Sequence, residues 1–309
     1  MALDLPECDK ADDDGGAPGP DDPAARVVRA ALIRNAERLR ALDPGVRRGE
    51  VESIHRMRTA ARRLRSELHA FLDLLDDTWG RDLEEELKWL ARGLGAVRDI
   101  DVLQARLEAS AGAWADRLGP LFSVLETRRA DAQEALRNVL QGERYRRLQG
   151  LLPISEFEVK ITPDALEPCG LALPPLVQRT WKALQRGARD LEPTSVDDAF
   201  HEVRKEAKRV RYAAEAVAEA LGDGRAAEAR AFSKHADRIQ NVLGAHQDAV
   251  IAGEEIRRIA EEHPHDGPFQ FAAGRLFERQ THVADNARAR FFKVWAKFDR
   301  KQNRRWFRG

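Results

Sequence analysis

From Pro23 onward, apolar residues recur three and four positions apart in a background rich in Ala, Leu, Arg and Glu. That spacing is the period of a helix with one buried face. Strict alternation is nearly absent, β-branched residues are scattered and aromatics make up only 6% of the chain, so strands are not expected. The pattern breaks over 150–175, where Pro153, Pro163, Pro168, Pro174 and Pro175 interrupt any continuous helix. The chain therefore reads as all-α, with a helical unit over 23–149, a Pro-rich linker over 150–175 and a second unit over 176–309.

The two units repeat each other. Leu42-Asp43-Pro44 is expected to end the first helix of one copy, and Leu191-Glu192-Pro193 that of the other. His55-Arg56-Met57-Arg58-Thr59-Ala60-Ala61-Arg62-Arg63-Leu64-Arg65 then corresponds to His201-Glu202-Val203-Arg204-Lys205-Glu206-Ala207-Lys208-Arg209-Val210-Arg211. Further on, Leu94-Gly95-Ala96-Val97-Arg98-Asp99 matches Leu243-Gly244-Ala245-His246-Gln247-Asp248. With about four helical segments per copy, this predicts two tandem four-helix bundles related by internal duplication. Gly95 and Gly244 are expected to end a helix or admit a close helix approach. Asp99 and Asp248 are expected to cap a helix or orient basic side chains.

On a helical projection at about 100° per residue, His55, Arg58, Arg62, Arg65 and His69 share one stripe. Met57, Ala60, Ala61, Leu64, Leu68 and Phe71 lie opposite and form a candidate core face. The second copy places His201, Arg204, Lys208 and Arg211 in the stripe, widened by Lys205 and Arg209, with Val203, Ala207, Val210, Ala214 and Val217 opposite. Like charges three and four apart repel by a few tenths of a kcal/mol per pair in an isolated helix. The arrangement occurs twice and neither stripe contains an acid, so an external polyanion is the simplest compensating partner. A charge-assisted bond to phosphate contributes about 1.5–3 kcal/mol, and Arg can engage phosphate oxygens in bidentate fashion.

The two His-x-x-Arg-x-x-x-[Arg/Lys]-Arg-x-Arg stretches, together with the two Leu-Gly…Asp stretches, resemble the CHAD family (conserved histidine α-helical domain). The resemblance covers about residues 23–309, and it implies a double helical bundle that binds inorganic polyphosphate in a basic central groove, without catalysis or a cofactor. Carried over by position, it implies that His55, Arg58, Arg62, Arg63 and Arg65 line the groove from one half. His201, Arg204, Lys205, Lys208, Arg209 and Arg211 would line it from the other. Lys88, Arg92, Lys234 and Arg238 are second-tier candidates to extend the basic surface. Thr59 stands where the second copy has Lys205, which predicts a weaker grip by the first half.

Other chemistry is disfavoured. No second His stands three or four residues from His55 or His201 on its own helix, so metal ligation by these histidines is disfavoured. Phosphoryl acceptance by these histidines would need a donor site and a general acid that the sequence does not offer. They are candidates either for a structural hydrogen bond at the helix start or for direct phosphate contact. There is no nucleotide loop of the Walker type. Glu156-Phe157-Glu158-Val159-Lys160 resembles the Glu-x-Glu-x-Lys signature of triphosphate-tunnel enzymes, but the segment between the helical units is too short to close a barrel. It is read as a chance match or a short extended edge.

Composition adds two points. The formal charge of zero conceals blocks: residues 1–23 hold eight acids against Lys10, and the chain from Arg288 onward holds nine bases against Asp299. Residues 1–22 are therefore expected to be a disordered acidic tail. At the other end, Phe291, Trp295 and Phe298 fit a last core helix, while Trp306 and Phe307 beyond it leave a polyanion or membrane-surface contact open. Two cysteines, no apolar run long enough to cross a membrane and an acidic start predict a cytoplasmic protein, with polyphosphate granules as the location implied by the resemblance. The chief alternatives are a nucleic-acid binder and an accessory subunit of a polyphosphate-metabolising enzyme. The first is disfavoured because the stripes carry no interleaved aromatics for base stacking.

Overall fold

The computed structural model describes residues 18–152, 155 and 159–307. Nine α-helices occur among them: α1 Ala24–Arg47, α2 Val51–Ala70, α3 Asp77–Ala111, α4 Gly119–Gln141, α5 Glu143–Leu151, α6 Cys169–Arg189, α7 Asp197–Ala218, α8 Asp223–Glu262 and α9 Gly267–Phe298. Short 3-10 turns join several of them, and a last one, Lys301–Phe307, folds back onto α6 and α8. No strand is present among the described residues; extended backbone meets only at two isolated bridges, Pro23 with Pro168 and Leu75 with Ile161. The chain is all-α, as its periodicity predicts.

Local chemistry sets the helix starts. The Asp76 carboxylate accepts from the Trp79 amide at 2.8 Å and caps α3. Asp266 does the same for α9 through the Phe269 amide at 3.0 Å, with Pro268 in the first turn, where no intrahelical donor is lost. The apolar faces predicted for α2 and α7 are the buried faces: Met57, Ala60, Ala61, Leu64, Leu68 and Phe71 in one copy, Val203, Ala207, Val210, Ala214 and Val217 in the other.

Several boundaries differ from the sequence expectation. Pro44 does not end α1, which continues to Arg47 and is closed by the Arg48 amide on the Pro44 carbonyl at 3.3 Å. The linker ends at Pro168 rather than at 175, so Pro174 and Pro175 lie within α6. Pro174 has no N–H to give the Gly170 carbonyl one turn back. Arg225 supplies the missing donor from α8 at 3.3 Å, and its other Nη reaches the Trp306 carbonyl at 3.2 Å. Residues 18–22 are not part of a free tail. Pro20 and Asp22 accept through their carbonyls from the Gly170 and Cys169 amides at 2.8 Å each. Glu156, Phe157 and Glu158 lie outside the described residues; Thr162 after them donates to the Leu74 carbonyl at 3.0 Å.

The first unit has five helices rather than four, and the halves are not separately cored. One cluster of buried apolar side chains runs from Ala24 in α1 through Leu64, Leu87, Trp181, Val210 and Phe232 to Trp306. A smaller cluster at the far ends of α3, α4, α8 and α9 joins Leu107 and Leu121 to Ile256 and Phe269. Phe291, Trp295, Phe298 and Trp306 are all buried, so the C-terminal aromatics belong to the core and not to a membrane contact. With the units fused in this way, α2 packs directly on α7.

Candidate anion-binding groove

The basic faces of α2 and α7 meet across the junction of the two units. Their contacts are reciprocal: Arg58 bears on Lys208 as Arg204 bears on Arg62, and Arg63 faces Glu215 as Arg209 faces His69. In each case the second pair sits at the repeat-equivalent positions of the first. The helices thus pass in opposite directions, and the equivalent residues Arg62 and Lys208 lie together at the centre.

That centre concentrates like charge in partly buried space. Burial, and then the guanidinium groups of Arg62, Arg65, Arg204 and Arg58, push the Lys208 ammonium down to about 6. Arg62 is lowered by burial and by Arg58 and Arg204, with Tyr212 and Asp99 acting the other way. Buried Nε–H groups of Arg58, Arg65 and Arg204 have no hydrogen-bond partner among the described residues. Leaving such donors unmatched is costly.

The Leu-Gly…Asp stretches lie in the middle of α3 and α8, not at helix ends, and they hold the groove arginines. Arg58 Nη1 donates to the Asp99 carboxylate at 2.6 Å and to the Gly95 carbonyl at 3.3 Å. A Cβ at Gly95 would stand 3.5 Å from Arg58, and one at Gly244 would stand 3.5 Å from Arg204, both ordinary contacts. The glycines therefore neither end a helix nor admit a close helix approach. Asp248 faces Arg204 and Arg106, and burial raises its carboxyl above the usual range.

The two motif histidines face the same stretches. His55 Nδ1 accepts from Arg98 Nε at 3.1 Å. His201 faces Gln247, the repeat equivalent of Arg98, and its imidazole is held below the usual range by burial and by Lys205.

The family model for the CHAD domain matches residues 30–257. The chain belongs to the CHAD domain family. Two uncharacterized proteins of Mycobacterium tuberculosis, from strains CDC 1551 and H37Rv, are each 29% identical to it over 298 residues, which is 93% of this chain and 56% of theirs. The chain thus spans about half the length of these curated relatives. Among solved structures, PptA from Streptomyces chartreusis matches with a TM-score of 0.71 at 24% identity, covering 89% of this chain and 99% of that one. The CHAD domain of the plant Ricinus communis matches with a TM-score of 0.67 at 24% identity, covering 91% of this chain and 94% of that one. At that identity the likeness concerns the fold.

Within this CHAD domain the cations singled out by sequence separate into two groups. Arg58, Arg62, Arg65, Arg204 and Lys208 converge on the groove, flanked by His55 and His201. Of these, Arg58 is also bonded to Asp99 and Arg65 lies 3.7 Å from Glu84; cations outside this group turn away from the centre to acids. Arg63 pairs with Glu67 at 3.3 Å and Glu215 at 3.6 Å, and Arg211 with Glu215 at 2.9 Å and Asp237 at 2.6 Å. Lys205 pairs with Glu202 at 2.6 Å, Arg209 with Glu206, and Lys88 with Glu85 at 3.0 Å. At the position equivalent to Lys205 in the first copy, Thr59 donates its hydroxyl to the His55 carbonyl at 3.0 Å. Of the remaining second-tier cations, Arg92 faces Glu85 together with Arg65, Lys234 is exposed, and Arg238 turns toward Arg290 of α9.

Sequence reasoning missed three participants. Arg98 and Gln247 stand beside the motif aspartates, Arg98 bonding His55 and Gln247 facing His201, and their adjacency to Asp99 and Asp248 was the available signal. Tyr212 directly follows Arg211, and the stripes are not free of aromatics as read. Its ring has Arg211 at 5.4 Å, Lys208 at 5.7 Å and Arg63 at 6.0 Å, and the side chain is buried. Cations occupy its surroundings, which leaves no open face for a base.

Proposed function

We propose that the protein binds inorganic polyphosphate in the α2–α7 groove, without catalysing a reaction on it, and that this binding recruits it in the cytoplasm to polyphosphate granules. The observation that carries the reading is the cluster of four arginines from two helices, Arg58, Arg62, Arg65 and Arg204, gathered about the half-buried Lys208 side chain closely enough to push its ammonium down to about 6. An assembly of that kind is self-repelling until a dense polyanion enters it. A chain of phosphates supplies acceptors for the unmatched Nε–H groups and neutralises the repulsion, and it gains further from released counterions. The CHAD family resemblance supplies the identity of the polyanion.

Nucleic acid is the competing polyanion, and the enclosed Tyr212 weighs against it. Titrating the purified chain with polyphosphates of several lengths, with duplex DNA and RNA as competitors at matched salt, tests the reading. Long polyphosphate is expected to win over orthophosphate, pyrophosphate and nucleic acid, with affinity falling steeply as salt rises. Equal affinity for DNA removes the proposal.

A further inference from the structure

Away from the groove, α6 carries a second basic stripe that follows the helical repeat: Arg179, Lys182, Arg186 and Arg189, all exposed. The C-terminal 3-10 turn Lys301–Phe307 folds against this helix and brings Lys301, Arg304 and Arg305 to face it. Between them lies a cavity of about 640 Å³, with Lys182 and Arg189 on one wall and those three cations on the other. A smaller hollow of about 340 Å³ adjoins it along α6 and adds Arg186 and Asp190.

The charge balance is one-sided. Of the two acids at the cleft, Asp299 is already engaged, accepting from Arg304 Nη1 at 2.8 Å and from Gln185, with Arg189 at 3.6 Å. Lys182, Arg186, Lys301 and Arg305 have no hydrogen bond or ion pair among the described residues. The floor does not suit a base. The Trp181 ring is buried, with Arg304 at 5.1 Å and Trp295 stacked at 5.5 Å, while Phe307, which also lines the cleft, is half-buried with edge contacts to Phe232 and Trp306. A volume of this size, lined by unpaired cations from two elements, suits a compact multivalent anion without an aromatic group.

We propose that this cleft is a second binding site, separate from the groove, for a short chain of phosphoryl groups. The chain has two possible sources: a free oligophosphate, or the end of a long polymer whose middle lies in the groove. The second is sterically reasonable because Arg179, at the head of the α6 stripe, acts on His69 together with Arg209 at the groove's edge. The site stands on its own cations and does not depend on the groove reading.

The test uses the full chain, tripolyphosphate and long polyphosphate as probes, and calorimetric titration at low salt. The cleft variant is Lys182→Glu/Arg186→Glu/Lys301→Glu, and Lys182→Gln/Lys301→Gln is a milder partner should the first lose its helical signal. The groove variant is Arg62→Glu. Wild type is expected to take up two tripolyphosphates per chain, and the cleft variant one, its second site weakened at least about tenfold, the effect of one lost charge-assisted contact.

Wild-type stoichiometry and affinity in the cleft variants overturn the proposal, as does ATP binding to the cleft more tightly than tripolyphosphate. Weaker binding of long polyphosphate by the cleft variant identifies the polymer end as the source, and unchanged binding identifies free oligophosphate. If Arg62→Glu leaves long-chain binding intact while the cleft variant loses its site, the groove reading fails and this one stands.

Discussion

Loading the groove should take up a proton at Lys208. In the free protein this ammonium is pushed down to about 6, against an ordinary value of 10.5. At pH 8 only about 1% of it is therefore charged. Phosphate oxygens in the groove reverse the balance, since an adjacent anion favours the charged form where four arginines disfavour it. If the bound value rises to 8, binding at pH 8 takes up about half a proton per site, and the uptake approaches one proton as the bound value moves well above 8.

The sign follows directly. The bound state holds more protons than the free state, so affinity falls as pH rises above 6, by up to about tenfold per unit. Calorimetry in buffers of different ionisation enthalpy reads the uptake as a slope. His201 and His69 are also held low, each by burial first and then by a cation, Lys205 for His201 and Arg209 for His69. Their contribution belongs to lower pH, and work at pH 8 keeps it small. Lys208→Met should abolish the uptake. Lys208→Arg, charged at every pH, should bind as well at pH 8 as wild type does near pH 6. A wild-type slope of zero at pH 8, or an unchanged slope in Lys208→Met, refutes the reasoning.

Three further outcomes are expected. Reversing charge at Arg62 and Arg65 should weaken polyphosphate binding by about 100-fold or more, two contacts at about 1.5–3 kcal/mol each, while reversal at Arg211 should mainly lower the unfolding midpoint by breaking its pairs with Glu215 and Asp237. Glu67 is raised from 4.5 to about 7, chiefly by burial. The folded state then holds a proton that the unfolded state releases, so stability falls between pH 4.5 and 7 by up to about 3 kcal/mol. Glu67→Gln should flatten that decline in denaturant titrations at pH 5 and 7.5. Deleting residues 1–17, which carry six acids and one base, should raise polyphosphate affinity at low salt and leave it unchanged at high salt. Unchanged affinity at low salt leaves the tail without a regulatory part.

The helices were legible because periodicity reports burial directly, and every apolar residue assigned to the inner faces of α2 and α7 is buried. The groove was legible in part for the same reason, since Arg58 and Arg62 stand opposite those faces. Long-range pairing was not. Arg63 and Arg62 are neighbours in sequence with the same side-chain chemistry, yet only Arg63 meets Glu67 and Glu215, because that choice depends on how α2 crosses α7. Pro174 shows the other limit. A proline inside a helix costs a backbone bond, and local rules place a boundary there. Here Arg225, 55 residues away from Gly170, replaces the missing donor and the helix runs through.

The reciprocity of the groove has a consequence for what it can read. Exchanging α2 for α7 turns Arg62 into Lys208 and Arg58 into Arg204, so the centre of the basic face presents nearly the same charges in either direction, the match ending at Arg65, whose equivalent Arg211 is paired with Glu215 and Asp237. Nucleic acids have a directed backbone, 5′ to 3′, and would encounter the two walls in opposite senses. Polyphosphate is a palindrome at every length, its repeating unit identical when traversed backward. On the proposed function, a basic face made by duplicating one helical unit, with its copies antiparallel, would suit a polymer without polarity, and such a chain could lie on it in either sense or shift along by one phosphate without losing register.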